Sequence, residues 1–345
     1  MQTGSGRLHW YSMDLQGLKD NFEIPGVLAF SENENGLVRA SITTPACTAE
    51  LYLHGAHLTQ WQPTGERPVL FLSERSMFTP ETAIRGGVPI IFPWFGGRTA
   101  TSQNQRTDGP SHGFARLSEW TLAFAAVAGD ELHLTLTLGP DDRTRGLGYD
   151  SFQLAYQMIL GTELRLQLLV SNASATQPLQ FEEALHTYLA VADAEQITLI
   201  GLSDTEFLDK ADDMKRKNQR ETLLKLTGET DRVYLNTVTP INVDDAVLKR
   251  RIAVCKSNSK NTVVWNPGAE LSAKLVDMAP DGWRSMVCVE TANLGPNAIT
   301  LQPGAQHIME THIFVQQFAP GVSTDITAPT PPKDPTPPAQ ESKKE

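Results

Sequence analysis

The stretch Glu131-Leu-His-Leu-Thr-Leu-Thr-Leu138 puts leucine at every second position. Successive side chains of an extended chain point to opposite faces, so Leu132, Leu134, Leu136 and Leu138 share one face and the intervening residues the other. A helix would scatter the same leucines around its axis. The pattern recurs nearby. Phe152, Leu154, Tyr156, Met158 and Leu160 alternate, as do Leu164, Leu166 and Leu168, with Arg165 and Gln167 opposite; Ala49, Leu51 and Leu53 make a shorter run. Turn-forming groups separate these runs: Ala128-Gly-Asp130, Gly139-Pro-Asp-Asp142 and Ser171-Asn-Ala-Ser174. Many half-buried strands and few convincing long helices predict an all-β chain, a large antiparallel β-sandwich in which sheet packs on sheet.

Two segments break the pattern. Residues 208–226 carry a dense run of charge and read as a surface helix or as a long exposed loop. From Ala328 the chain reads APTPPKDPTPPAQESKKE, whose six prolines and charged end cannot build a core. The expected organisation is an N-terminal extension over 1–24, one sandwich domain over 25–320 and an extended, proline-rich tail over 321–345.

Composition narrows the class. Hydrophobic residues make up 40% of the chain and charged residues 20%, as in ordinary globular proteins. No apolar run approaches the ~20 residues of a membrane-spanning helix. The first twenty residues lack a basic start followed by an apolar stretch, so no secretory signal is expected. The three cysteines, Cys47, Cys255 and Cys288, are far apart and suggest neither a disulfide framework nor a zinc site. Three buried thiols in a reducing cytoplasm are the simplest reading. A net charge of -11 repels nucleic acid. It does not exclude an anionic small substrate, because screening over ~8 Å lets a few arginines define a local basic pocket.

Five segments mix polar residues with glycine, proline and aromatics. In Ala83-Ile-Arg-Gly-Gly-Val-Pro-Ile-Ile-Phe-Pro-Trp-Phe-Gly96, Arg85 precedes two glycines that let the backbone turn closely around a ligand. Its planar fork suits phosphate, although an arginine bonding turn carbonyls would look the same. In Ser111-His-Gly-Phe-Ala-Arg116, glycine lets His112 and Arg116 face one cleft, or marks a simple turn. His186 ends Phe181-Glu-Glu-Ala-Leu-His186, where a strand would align it with Glu182 and Ala184. Glu290 sits at the end of an apolar run, Met286-Val-Cys-Val289, where burial would make it a stronger base. Asp231 adjoins Arg232 and could be a surface ion pair of little energetic weight. Trp265, in Trp-Asn-Pro-Gly268, reads as a core residue, with a place against a sugar face as the alternative. His112, His186 and a glutamate could be cast as a metal site, but no short-spaced ligand pair supports one.

Taken in order, these segments resemble the aldose 1-epimerase-like superfamily, and within it the glucose-6-phosphate 1-epimerase (hexose-6-phosphate mutarotase) branch. The resemblance runs from Leu51-Tyr-Leu-His-Gly-Ala-His-Leu-Thr-Gln-Trp61 through IRGGVPIIFPWFG, SHGFAR, ALHTYL, DRVY, VVWNP and MVCVETAN to Leu301-Gln-Pro-Gly304, covering about residues 25–318. It implies a galactose mutarotase-like supersandwich with a cofactor-free, metal-free site in its concave face. By this resemblance His186 and Glu290 are the acid and base, Arg85 and Arg116 hold the 6-phosphate, and His112 and Asp231 contact substrate. One departure is Gly268, where relatives commonly carry an aromatic residue.

The implied chemistry is exchange of α and β anomers of a hexose 6-phosphate, with D-glucose 6-phosphate as leading substrate. O1 loses a proton to Glu290 and O5 gains one from His186; the ring opens, C1–C2 rotates and the steps reverse, with no electron carrier or metal. Alternatives are the same reaction on an unphosphorylated aldose, a non-catalytic carbohydrate-binding sandwich, and a two-carboxylate glycosidase. The protein is expected to be a cytoplasmic monomer acting on a small sugar phosphate, with neither nucleic acid nor membrane as partner.

Overall fold

The structure, a computed structural model, describes residues 13–101 and 104–317. The proline-rich tail and the start of the N-terminal extension lie outside the described residues.

The alternating segments form strands close to where their periodicity places them: Cys47–Tyr52, Glu131–Leu138, Phe152–Leu160 and Leu164–Asn172. The last three are neighbours in a nine-stranded antiparallel sheet, with burial alternating along each strand so that the leucine-rich face is buried and the other less so. An eight-stranded antiparallel sheet carries, in spatial order, Lys215–Asn218, Glu206–Asp209, Thr230–Leu235, Asn261–Asn266, Met286–Asn293, Glu183–Leu185 and Ile90–Ile91, with Tyr188–Ala190 also pairing to Met286–Asn293. A four-stranded sheet over residues 28–63 completes the main layers. One continuous core joins all three: Leu134, Tyr156 and Ile313 from the first meet Tyr234, Val264 and Val289 from the second and Ile42 and Trp61 from the third. Burying such a contiguous apolar set is the main force holding the layers together. The helix Leu15–Phe22, capped by Asp14 accepting from Gly17 N, inserts Leu18 into this core.

The charged segment 208–226 forms neither a helix nor one long loop. It contains a 3-10 turn, Lys210–Asp212, the edge strand Lys215–Asn218 and a short strand, Leu223–Leu224. Asp213 and Met214 take left-handed backbone angles to reverse the chain. Charge is tolerated because this strand lies at a sheet edge, where it discourages pairing with another chain. Across the turn, Lys217 pairs with Asp209 at 2.8 Å and Asp212 at 2.6 Å, and Arg216 pairs with Glu206.

The strand Met286–Asn293 is buried at every position. One of its faces looks into the sandwich core through Val287 and Val289. The other face is the floor on which the polar residues gather.

Candidate active site

Strand register assembles the floor. Residues directly opposite one another in antiparallel strands share a face. Trp265 pairs with Asp231 on one side and with Cys288 on the other, and Tyr188 pairs with Cys288 from beyond. Val263 likewise lies between Val233 and Glu290. Asp231, Trp265, Cys288, Glu290 and Tyr188 therefore share one face. The pairs Leu185 with Thr291 and Tyr188 with Cys288 keep one register, which puts His186 directly opposite Glu290 although the ladder is interrupted there. His186 Nε2 lies 3.2 Å from Glu290 Oε1.

This pair is buried and underserved. Glu290 is 1% exposed and His186 7%. Neither Glu290 oxygen has an aligned hydrogen-bond donor, and His186 Nδ1 has no partner. The 3.2 Å approach is thus a contact without good hydrogen-bond alignment. Burial, reinforced by the charge of Asp231, holds the Glu290 carboxyl well above the usual carboxylate range, against the pull of Lys210 and Arg116. Burial also lowers His186 well below the usual imidazole range, helped by His112, Arg116 and Arg85. The two shifts run in opposite directions and both favour the uncharged forms, a protonated Glu290 beside a neutral His186.

Aromatic rings frame the imidazole. Tyr188 stacks on His186 at 4.8 Å and 14°, while Trp265 meets it edge-on at 6.0 Å. Trp265 is thus half-buried at the site rather than in the sandwich core. His112 approaches His186 at 5.7 Å and Phe95 at 4.7 Å. His112 Nδ1 accepts from Gly96 N at 3.3 Å, which leaves the ring proton on Nε2. His112 takes φ 64, and the next residue, Gly113, has φ 74. A Cβ on Gly113 would lie 2.0 Å from Phe92 O, so only glycine lets this loop seat against the Ile90–Ile91 segment.

The arginines enter from loops. Arg85 precedes Gly86 and Gly87, where a Cβ would meet Phe71 O at 2.4 Å and Leu58 O at 2.2 Å. His57 Nε2 donates to Gly86 O at 2.7 Å; burial pushes its pKa down to about 3, so the ring is neutral. Arg85 donates from Nε to Asp277 Oδ2 at 3.0 Å and from Nη1 to the Tyr188 hydroxyl at 3.1 Å. Burial opposes its charge, but Tyr188 and Asp277 outweigh that and leave its pKa raised. Arg116 donates from Nη2 to Ser111 O at 2.8 Å, and its Nε has no partner. Burial pushes its pKa down to about 10, with Tyr188 opposing and Arg85 adding to the fall.

Asp231 does not form the surface pair with Arg232 that stood as the alternative to a substrate contact. It lies 3.0 Å from Lys210, whose ammonium also sits 4.9 Å over the Phe95 ring. Arg232 points to the other face and donates to Gln219. Burial raises the Asp231 pKa, with Lys210 opposing. Glu182 accepts from Phe95 N and Gly295 N at 2.8 and 2.7 Å, pinning the loop that carries Phe95.

All six residues expected at the site therefore gather around the middle of the Met286–Asn293 floor, about Cys288 and Glu290. Sequence reasoning missed Lys210, Tyr188 and Asp277. Tyr188 had a signal, standing two residues from His186 on the same strand face; Lys210 lay within the segment read as helix or loop, and Asp277 had none. Gly268 has φ 62, and a Cβ there would lie 2.6 Å from Glu229 N, so close backbone approach excludes a side chain at that position. Among the described residues no cluster of three or more ligating side chains suited to a metal occurs.

Residues 39–313 match the family model of aldose 1-epimerase. A protein of Escherichia coli strain K12 named "Putative glucose-6-phosphate 1-epimerase" is 38% identical over 72% of this chain and 80% of its own length. A protein of Cenchrus ciliaris with the same name is 30% identical over 75% of this chain and 79% of its own. The crystal structure of a "putative mutarotase (YeaD)" from Salmonella typhimurium superposes with a TM-score of 0.78 at 32% identity, covering 86% of this chain and 96% of that one. The architecture of the site and these likenesses agree: the chain belongs to the aldose 1-epimerase family.

Proposed function

We propose that this epimerase interconverts the α and β anomers of a hexose 6-phosphate, with D-glucose 6-phosphate as the leading substrate. The observation that carries the reading is the buried Glu290 carboxyl facing the His186 imidazole at 3.2 Å, with Arg85 and Arg116 close enough to bias the imidazole's titration. The names of the relatives support the phosphorylated substrate.

Anomer exchange needs one proton removed from O1 and one delivered to O5. Glu290 as carboxylate takes the first and His186 as imidazolium gives the second. The pair carries the single proton this requires. Burial favours that proton on Glu290 in the empty site, and transfer across the short gap gives the charged form. After ring opening and rotation about C1–C2, His186 takes the O5 proton back as O5 closes on the other face of the carbonyl, and Glu290 returns its proton to O1. His112 Nε2–H supports the reacting oxygens, Asp231 and Lys210 orient hydroxyls, and the arginines hold the phosphate far from C1, so that binding energy positions the ring. We further read the protein as a cytoplasmic monomer built on one sandwich domain and acting on a small sugar phosphate, apart from nucleic acid.

The test is the rate of anomer interconversion by NMR exchange, for glucose 6-phosphate and glucose side by side. Strong preference for the phosphorylated sugar supports the proposal. Equal rates would make the protein an epimerase of free aldoses, and saccharide binding without exchange would remove the catalytic role.

A further inference from the structure

The two arginines differ in what surrounds them. Arg116 has no carboxylate among its direct partners, and Nη2 alone is engaged, by a backbone carbonyl. Arg85 is bound on two sides. Its Nε and Nη2 both lie 3.0 Å from the same oxygen of Asp277, and Nη1 reaches Tyr188. A guanidinium has five N–H groups, so Arg85 keeps one on each terminal nitrogen for another ligand.

The Asp277 contact is built in. Ser73 Oγ donates to the Asp277 carbonyl at 2.7 Å, and Ser73 N donates to the Arg85 carbonyl at 2.9 Å. Ser76 closes the unit, its hydroxyl bonding Arg85 N at 2.7 Å and Arg85 O at 3.0 Å. One serine thus ties together the backbones of two residues far apart in sequence whose side chains also pair. Both side chains are mostly covered, at 22% and 16% exposure, which spares the pair much of the screening a surface ion pair suffers.

Two guanidinium groups sharing one cleft repel each other, and without a counter-charge the more mobile one swings toward solvent. We infer that Asp277 is a positioning residue for the anion end of the site: it locks the Arg85 fork against Tyr188 with two N–H groups free, while Arg116 stays without a carboxylate in direct contact. The inference rests on the phosphate reading of the preceding subsection. It gives the arginines different duties, fixed hydrogen-bond geometry from Arg85 and net attraction from Arg116. It also makes Asp277, which need not touch substrate, a determinant of preference for phosphorylated over free hexose.

The experiment compares kcat/KM for glucose 6-phosphate and for glucose in the full chain and in Asp277→Asn, Asp277→Ala, Arg85→Gln and the double variant D277N/R85Q. The ratio of the two constants is the readout, since a general loss of folding lowers both alike. Loss of a charge-assisted contact predicts a fall in the ratio of roughly 10-fold in each Asp277 variant, mostly through KM for the phosphorylated sugar. The double variant should lose no more than Arg85→Gln alone, because Asp277 acts through Arg85. An unchanged ratio in both Asp277 variants, or a lower KM for the phosphorylated sugar, overturns the inference. If Arg85→Gln itself leaves the ratio unchanged, the phosphate reading of Arg85 fails and this inference with it. If only the Asp277 variants are silent, the phosphate reading stands and the positioning role falls.

Discussion

Tyr188 joins the proton-transfer pair to the anion end of the site: its ring lies flat on His186 at 4.8 Å while its hydroxyl accepts from Arg85 at 3.1 Å. The two functions of this side chain are separable by mutation. Tyr188→Phe keeps the stack and loses one hydrogen bond, so KM for glucose 6-phosphate should rise roughly 3–10-fold with little change in kcat. Tyr188→Leu also releases the imidazole, and kcat should fall. Steady-state kinetics on both variants tests this; a larger kcat loss in the Phe variant would contradict it.

Glu290→Gln should lower turnover by roughly 10²–10⁴-fold, the usual contribution of a positioned base, while sugar phosphate still binds. The same change should stabilise the fold. In the unfolded chain this carboxyl titrates near 4.5, and in the folded protein well above it. The stability it allows is complete below the unfolded value and declines as pH rises through the folded one. The variant should therefore gain over the parent as pH climbs, toward about 1–3 kcal/mol for relief of a buried unsatisfied group. Thermal melts at about pH 4.5 and about pH 8 measure the difference. An equal or smaller gain at the higher pH would contradict the titration assigned to Glu290.

The proton pair also predicts a broad pH profile. His186 resists protonation until below 6.5, and Glu290 keeps its proton well above 4.5. The form with one shared proton should persist across neutrality, giving a plateau in kcat/KM with an acid limb below the ordinary histidine range. Glucose is the cleaner substrate for this measurement, because the phosphate ester itself titrates near about pH 6. A sharp optimum centred on about 6.5 would show that the imidazole titrates normally.

Arg116 should dominate the salt response. Arg116→Ala removes the guanidinium that has no carboxylate in direct contact and should raise KM for glucose 6-phosphate roughly 10–100-fold. In the parent, KM for the phosphorylated sugar should climb with ionic strength, and the slope should flatten in this variant. Free glucose should show neither effect.

Gly113→Ala tests the loop between His112 and Arg116. The backbone at φ 74 and the 2.0 Å approach to Phe92 O leave no room for a methyl group. A loss of about 2–5 kcal/mol in denaturant unfolding is expected from strain plus overpacking. Normal stability would mean that the loop seats differently.

The sheets were legible because period-two alternation is strong wherever one strand face meets a core, as it does from Leu132 to Leu138. The same signal vanished at residues 215–218, where an edge strand has charge on both faces and its composition imitates a surface helix. At the site, the chemistry of His186 and Glu290 was visible in residue type, but their meeting depends on a strand register that local sequence does not display. Asp277 was invisible for a simpler reason. It lies in a short irregular segment, and nothing in Val276-Asp-Met-Ala279 distinguishes a carboxylate that grips an arginine from one that faces water. Trp265 went to the wrong side of the choice between core and sugar face because its neighbour Val264, one residue away, is the one that turns into the sandwich.

The fully covered strand from Met286 to Asn293 serves both the interior and the reaction floor, and this constrains how such a chain can change. Any substitution there is felt by two surfaces at once, so the base is inherited along with the architecture. The groups at the rim hang from three segments outside the strand, His112 and Arg116 from one loop and Lys210 and Asp277 from two others, and these can be exchanged singly. New substrate preferences should therefore arise by replacement of these segments around an unaltered proton-handling centre.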